Sequence, residues 1–576
     1  MKKLIFLVLT CFFISCNQDI KKTESDTSSP ISEIQQEVKK SIIADKAMVV
    51  SAREETSKIG LEILKKGGNA FDAMIATEMA LAVSYPYAGN IAGGGFMVYR
   101  TQHGELGALD YREKAPIAAS RDMYLDENGD FISEKSKEGS LAVGVPGTIA
   151  GIFAVHEKLG SLPIEEILAP VIALATNGYI VTQKQVDRLE KYKEQITRVN
   201  QETSIYNQSY KKGDTIVNKA LANTLSKISQ NGRSEFYNGK TGEKLVNYIQ
   251  SKDGIITMED LKAYEVEWRE PIVFTYKDLK IISMSPPSSG GICLAQILKS
   301  IEPFPIKNYG HNSIKTIQVI TEAERRAYAD RSFYLGDPDF VDIPVDSLLD
   351  NRYVTERMKD FTFDKATSSG SLSYGIIPGF ESSETTHYSI VDQFGNAIAV
   401  TTTLNGAYGS KLYAKDLGFF LNNEMDDFSS KPGEPNVYGL VGGEANSIQP
   451  QKRMLSSMTP TIVEKNGEFW MTLGTPGGST IITSVLQTIL NVYEFDMNMQ
   501  EAVDAPRFHH QWLPDVIRFE PNSFTKDSLN YLEEKGYIIE EKNATVIGKV
   551  DGIRVLPNGK LEGGADRRGD DTAVGF

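Results

Sequence analysis

Past residue 45 the chain moves between two hydrophobic periods. "MVVSA" at 48–52 is a short apolar run that predicts a strand. Over 56–66, Ile59, Ile63 and Leu64 recur at helical spacing, and Gly67-Gly68 ends that helix. Asn69 is placed to cap a second helix that carries Phe71, Met74, Ile75, Met79 and Ala82. "YPYAGNIAGGGFMV" then turns through glycines into a strand. From about 150 to 360 the pattern is mainly helical, as in "VIALATNGYIVT" and "LAQILKSIEPF". Residues 361–384 are rich in Ser and Gly and carry no apolar period. From 385 strands return in pairs, and an apolar helix follows over about 479–494. No repeat of fixed period runs through the chain.

The pattern is most informative at 385–405. "TTHYSIVD" and "NAIAVTTTLN" are strand-like runs joined by a Gln393-Phe394-Gly395 turn. A hairpin symmetric about Phe394 pairs residues whose numbers sum to 788, which sets Thr385 opposite Thr403. Their Cβ atoms would lie about 5 Å apart on one face, close enough for the hydroxyls to interact. Threonine is common in strands, so the pair alone says little. The flexible segment ending at Glu384, one residue before the strand, changes that reading. A threonine hydroxyl needs a base, and a free α-amine, titrating near 7.7–8.0, is one within reach of its own Oγ. Cleavage between Glu384 and Thr385 would create that amine. The same hydroxyl can make the cut by attacking the Glu384 carbonyl, after which water releases the ester. His387 is expected on the opposite face of this strand, in a structural role.

The start of the chain reads as an export signal. Lys2 and Lys3 precede an apolar run from Leu4 to Ile14, too short to span a bilayer. Phe13-Ile14-Ser15-Cys16 resembles a bacterial lipobox with Cys16 as the lipidated residue. A plain signal peptide cut nearby is the alternative. Residues 17–45 are polar and poor in aromatics, which suits a flexible tether. The expected organisation is therefore a leader at 1–16, a tether at 17–45, and pieces 46–384 and 385–576. The protein would be exported and held to the membrane only by its lipid, facing the periplasm or cell surface. Cys11 lies in the leader and Cys16 would be acylated, so Cys293 alone remains in the body and no internal disulfide is expected there. Cys293 reads as a small buried hydrophobe. A net charge of −15 and no long Lys/Arg run argue against nucleic acid as a partner.

The motifs "NIAGGGFM", "LDYREKAP", "TTHYSIVD", "TTTLN", "LNNEMDDF", "KPGEPNVYGLVGG", "LSSMTPT", "TPGGS" and "PRFHHQW" follow one another in the order of one family. From about residue 46 onward the chain resembles the γ-glutamyltranspeptidases, N-terminal-nucleophile hydrolases that mature by self-cleavage. The resemblance implies an α+β fold, a four-layer αββα sandwich of two intertwined subunits. It implies a γ-glutamyl ester on Thr385, passed from glutathione and other γ-glutamyl donors to water, amino acids or peptides. Thr403 would be the supporting hydroxyl, with Gly477 and Gly478 before a helix as oxyanion donors. A γ-glutamyl group ends in an ammonium and a carboxylate, so its pocket needs both signs of charge. Arg112 matches the residue that pairs with the carboxylate, helped by Ser456 and Ser457. Asn405, Glu424 and Asp427 match those that hold the ammonium. Tyr438 matches the lid residue over the donor site.

No metal or organic cofactor is implied. His509-His510 has no third ligand at metal spacing and reads as structural, and Asp426 as a brace for the strand end. "AGGGF" lacks the strand–GxGxxG–helix context of a nucleotide site. Rivals on the same fold are an acylase and a poly-γ-glutamate-processing enzyme. Arg112 with Asp427 argues against the first, and the lid against the second. An uncleaved γ-glutamyl-binding lipoprotein would need neither nucleophile nor glycine pair.

Overall fold

The hairpin read from the sequence is present, as Thr385–Val391 and Ala397–Thr403. Thr385 faces Thr403, and the register runs unbroken to Val391 opposite Ala397. Asp392 builds the turn. Its carboxylate accepts from the N–H groups of Phe394 and Asn396, both at 2.9 Å. Gly395 sits at φ +98°, a conformation strained for residues with a side chain. This computed structural model describes residues 41–372, 385–431, 443–541 and 546–576. Cys16, Tyr438 and Glu384 lie outside the described residues, as do the leader and most of the tether.

The hairpin is the centre of a seven-stranded antiparallel sheet, in the order 572–575, 48–51, 385–391, 397–403, 94–100, 106–110, 267–269. Strands from before and after position 384 thus interleave in one sheet. A second seven-stranded sheet runs 42–44, 561–565, 551–555, 468–474, 461–465, 279–283, 272–276. Alternation along the strands sorts side chains into layers. Met48, Val50, Phe96, Val98, Val391, Ala397 and Ala399 pack between the sheets against Ile282, Ile462, Ile553 and Leu561. Their strand neighbours Val49, Met97, Tyr388, Ile390, Ile398 and Val400 face helices Glu54–Lys65 and Ala70–Ser84 instead. On the far side, Phe274, Ile281, Val463, Met471 and Leu473 face helices Gly290–Ile301, Ile314–Tyr334 and Thr480–Tyr493. The result is the four-layer αββα sandwich.

The helix signals near the start hold. Asn69 accepts from Phe71 and Asp72 N–H while Asp72 accepts from Asn69 N–H, a complete capping box. Two expectations need correction. The stretch read as mainly helical also contains strands Ile272–Tyr276 and Leu279–Ser283, joined at Lys277 with φ +53°. They are short, and helical signals on both sides dominate the pattern. The folded part also begins before residue 46, because Ile42–Ala44 pairs with Leu561–Gly563.

Behind the hairpin, Glu78 is fully buried and accepts from the Tyr388 hydroxyl at 2.7 Å. Burial pushes its carboxyl up to about 7, against bonds from Tyr388 and Thr402 that lower it. A carboxyl whose folded pKa is raised stabilises the fold most below its unfolded pKa, and that contribution is lost as pH rises through about 7. Glu78→Gln keeps an acceptor and cannot ionise. Relative to the natural protein it is expected to gain about 1–3 kcal/mol at pH 8.5 and nothing at pH 4, read from urea unfolding.

Candidate active site

Thr385 and Thr403 sit at the open end of the hairpin, 7% and 2% exposed, on the face turned toward the second sheet. His387 shares that face, contrary to expectation, because residues two apart on a strand point the same way. Its Nδ1 lies 2.9 Å from the Thr401 hydroxyl and its Nε2 3.0 Å from that of Ser389. Burial holds its pKa down to about 3, so it is a neutral brace. The Thr403 hydroxyl accepts from the Asn405 N–H at 2.7 Å. Asn405 has φ +67°, which its short polar side chain tolerates, and that kink ends the strand.

From Asn405 the geometry passes to the acidic turn Glu424–Asp427. Asn405 donates through Nδ2 to the Asn423 carbonyl at 3.0 Å, and the Asn423 Oδ1 accepts from Gly406 N–H at 2.7 Å. Asn422 fastens the same turn by donating to the carbonyls of Ala92 and Gly144. These two asparagines carry no charge and were not singled out in the sequence, yet they set where Glu424 and Asp427 stand. Asp426 accepts from the Ser136 hydroxyl, which ties the acidic turn to helix Ser133–Lys137 rather than to a strand end.

Arg112 follows strand Leu106–Asp110 and is 1% exposed. Asp110 accepts its N–H at 2.9 Å and the Tyr264 hydroxyl donates to its carbonyl at 2.7 Å, so its backbone is fixed from both sides. Its guanidinium meets Glu424 at 2.5 Å and also pairs with Asp427. The charges expected to read opposite ends of a ligand therefore meet each other here. Burial disfavours all three ions and raises both carboxyls, while Glu424, Asp427 and the neighbouring Glu113 together outweigh burial at Arg112 and keep it charged.

Ser456 and Ser457 come in from the second sheet's side. Ser456 N–H donates to the Pro287 carbonyl at 2.9 Å, and the Ser457 hydroxyl accepts from Arg331 at 2.9 Å. Arg331 lies on a helix whose Glu322, Glu324, Arg325, Arg326 and Asp330 are all buried as well. That run of charge in a strongly helical segment was the signal for a buried polar helix behind the site. Gly477 and Gly478 have φ +142° and +57°, and helix Thr480–Tyr493 starts directly after them. A Cβ on Gly477 would come 2.4 Å from the Thr480 hydroxyl. His509 supports this helix start through Thr483 at 2.9 Å and Gln511 at 2.9 Å. Cys293 is buried, with its thiol pushed up to about 12 by desolvation, as suits a packing residue.

One narrow cleft is lined by Arg112, Thr385, Thr403, Asn405, Asp427, Ser456, Ser457 and Gly478, with Leu455, Met458 and Ile481 as its apolar wall. Glu424 stands behind Arg112, and Gly477 one residue from the lining.

The family model for gamma-glutamyltranspeptidase matches residues 56–576. The chain belongs to the gamma-glutamyltranspeptidase family. It is 45% identical over 548 residues to a glutathione hydrolase proenzyme of Escherichia coli (strain K12), covering 94% of each chain. Among solved structures it is similar to Helicobacter pylori gamma-glutamyltranspeptidase, at 41% identity and TM-score 0.55 over 60% of this chain and 97% of that one. A cephalosporin acylase from Bacillus halodurans shares the fold at TM-score 0.84 and 24% identity, over 95% of this chain and 99% of that one. Membership of the gamma-glutamyltranspeptidase family accounts for the glycine-rich, acidic and threonine motifs at once, since all of them converge on the hairpin's open end.

Proposed function

We propose that this member of the gamma-glutamyltranspeptidase family cleaves itself before Thr385 and then transfers γ-glutamyl groups from Thr385 to water, amino acids or peptides. The observation that carries this is the meeting, in one cleft, of a threonine at a strand start with the buried Arg112 and the half-buried Asp427, with the buried Glu424 directly behind Arg112. The freed α-amine takes the Thr385 hydroxyl proton as Oγ attacks the donor's γ-carbonyl, and returns it to the leaving amine. Thr403 holds the nucleophile by a hydroxyl contact across the strand pair. N–H groups at Gly477 and Gly478 meet the developing oxyanion at a helix start.

The donor's amino-acid end enters between charges that now face each other. Its carboxylate takes Arg112 with Ser456 and Ser457, and its ammonium takes Glu424, Asp427 and Asn405. The exchange replaces the Arg112–Glu424–Asp427 cluster by one contact between Arg112 and the donor carboxylate and one between the acids and the donor ammonium, so each ligand charge is buried against an opposite one. Reading both ends of an amino acid favours this function over an acylase on the same fold. The Helicobacter pylori chain, aligned over 60% of this one, has the size of a piece ending near residue 384, which supports the two-chain mature form. The similarity to a proenzyme in Escherichia coli supports the same maturation. Tyr438 is assigned to cover the donor, and Cys16 to carry the lipid that holds the exported protein at the membrane.

Turnover of a γ-glutamyl anilide with and without an added dipeptide tests the reading. Anilide release that the dipeptide accelerates, with a γ-glutamyl dipeptide as product, is expected. Hydrolysis of a cephalosporin side chain without γ-glutamyl turnover would favour the acylase. Gly477→Ala is expected to lower kcat roughly 100-fold, because φ +142° and the 2.4 Å approach to Thr480 displace the donor loop. Steady-state kinetics on the matured variant checks it, with KM expected to change far less than kcat.

A further inference from the structure

The freed amine cannot be the base for the cut that frees it, so maturation needs another proton acceptor. Pairing across three strands sets Thr385, Thr403 and Gly94 in one row. Paired residues point to the same face, so a side chain on Gly94 would stand beside the Thr403 hydroxyl. Gly94 has none, and the Glu113 carboxyl occupies that place, with Oε2 2.6 Å from where the Gly94 Cβ would be. Glu113 is fully buried, and among the described residues neither of its oxygens accepts a hydrogen bond from another residue. A carboxyl about one strand spacing from Thr403 and two from Thr385 is thus held in place by its ion pair with Arg112, with its oxygens still open to a hydrogen bond.

From this geometry, and resting on the reading of Thr385 as a self-cleaving nucleophile, we infer that Glu113 is the proton acceptor for maturation, acting through the Thr403 hydroxyl. The Glu113 carboxylate receives the Thr385 hydroxyl proton by way of Thr403, with one water closing the last gap. Thr385 Oγ bonds to the Glu384 carbonyl carbon, and the C–N bond to Thr385 breaks. The proton held on Glu113 passes to the departing Thr385 nitrogen, which becomes the free amine. Water then hydrolyses the ester, releasing a Glu384 carboxylate and restoring the hydroxyl. No oxidant or further reactant is needed.

The surroundings suit a base working near neutral pH. Glu113 is faced by Arg112 at 3.6 Å, by Asp110 and Tyr111 on its own segment, by Glu424 and Asp427 from the acidic turn, and by Tyr237 and Tyr264 from behind. Burial is the largest influence and raises its pKa to about 8, with Arg112 opposing and the neighbouring acids adding to the rise. Once the amine exists it is the nearer base, so Glu113 serves maturation and has only a smaller, Arg112-linked effect on donor binding.

The test follows first-order cleavage of purified precursor on denaturing gels from pH 6 to 10, for the natural sequence, Glu113→Gln and Glu113→Asp. The natural protein is expected to cleave faster as pH rises through about 8. Glu113→Gln should slow cleavage roughly 100-fold at pH 9 and flatten that rise, with Glu113→Asp partly restoring both. Turnover of the matured Gln variant should fall much less than its cleavage rate. Cleavage of Glu113→Gln at the natural rate, or an equal loss of cleavage and turnover, overturns the inference. A flat natural profile overturns it too, and that result needs no variant to fold. Failure of the natural chain to cleave before Thr385 would instead remove the underlying reading.

Discussion

Thr385→Ala is expected to stay a single chain and to lose γ-glutamyl transfer by a factor on the order of 10⁴ or more. Both losses come from one atom, because Oγ makes the cut and later carries the acyl group. The substitution should leave the fold intact. Thr385 begins a strand held by pairing with Thr403 on one side, and the same hairpin pairs with Met48–Ser51 further along. Removing a methyl and a hydroxyl at a strand end costs about 1 kcal/mol, a small part of the stability of such a body. Denaturing gels and anilide turnover together check it. A variant that still divides in two would move the nucleophile elsewhere. One that stays whole yet turns over at the natural rate would make cleavage irrelevant to activity.

Arg112→Lys should lower kcat/KM for a γ-glutamyl donor by about 2–4 kcal/mol, roughly 30- to 1,000-fold, mostly through KM. The guanidinium reaches Glu424 and Asp427 with two different nitrogens, Nη1 and Nη2. Lysine keeps the charge and loses that fork, so it cannot hold a carboxylate in the same orientation. Donors without a free α-carboxylate should discriminate little between the variant and the natural enzyme. Kinetics with a donor and its α-amide measure this directly, and equal losses for both would place Arg112 away from the carboxylate.

Much of the site was legible because its chemistry is local in sequence. The Thr385–Thr403 register follows from turn position and strand period alone. Asn69, with its capping box, and the glycines before helix Thr480–Tyr493 were readable for the same reason. His387 is expected on the opposite face, yet the same alternation that pairs the threonines puts it beside them. What the sequence hid depends on contacts between distant segments. Glu113 looks like any charged neighbour of Arg112 until Gly94 is seen to leave room for it. Arg331 reaches Ser457 from a helix 126 residues earlier, and Asn422 and Asn423 locate the acidic turn through backbone bonds to Ala92, Gly144 and Leu404. The mutual pairing of Arg112, Glu424 and Asp427 was also out of reach. Motifs name the charges but not whether, with no ligand between them, they turn toward each other.

Intact mass and N-terminal sequencing of the smaller fragment of purified protein bear most directly on the central claim. A smaller fragment that begins at Thr385 is the result this account predicts. A first residue anywhere else, or full activity from an undivided chain, would contradict it.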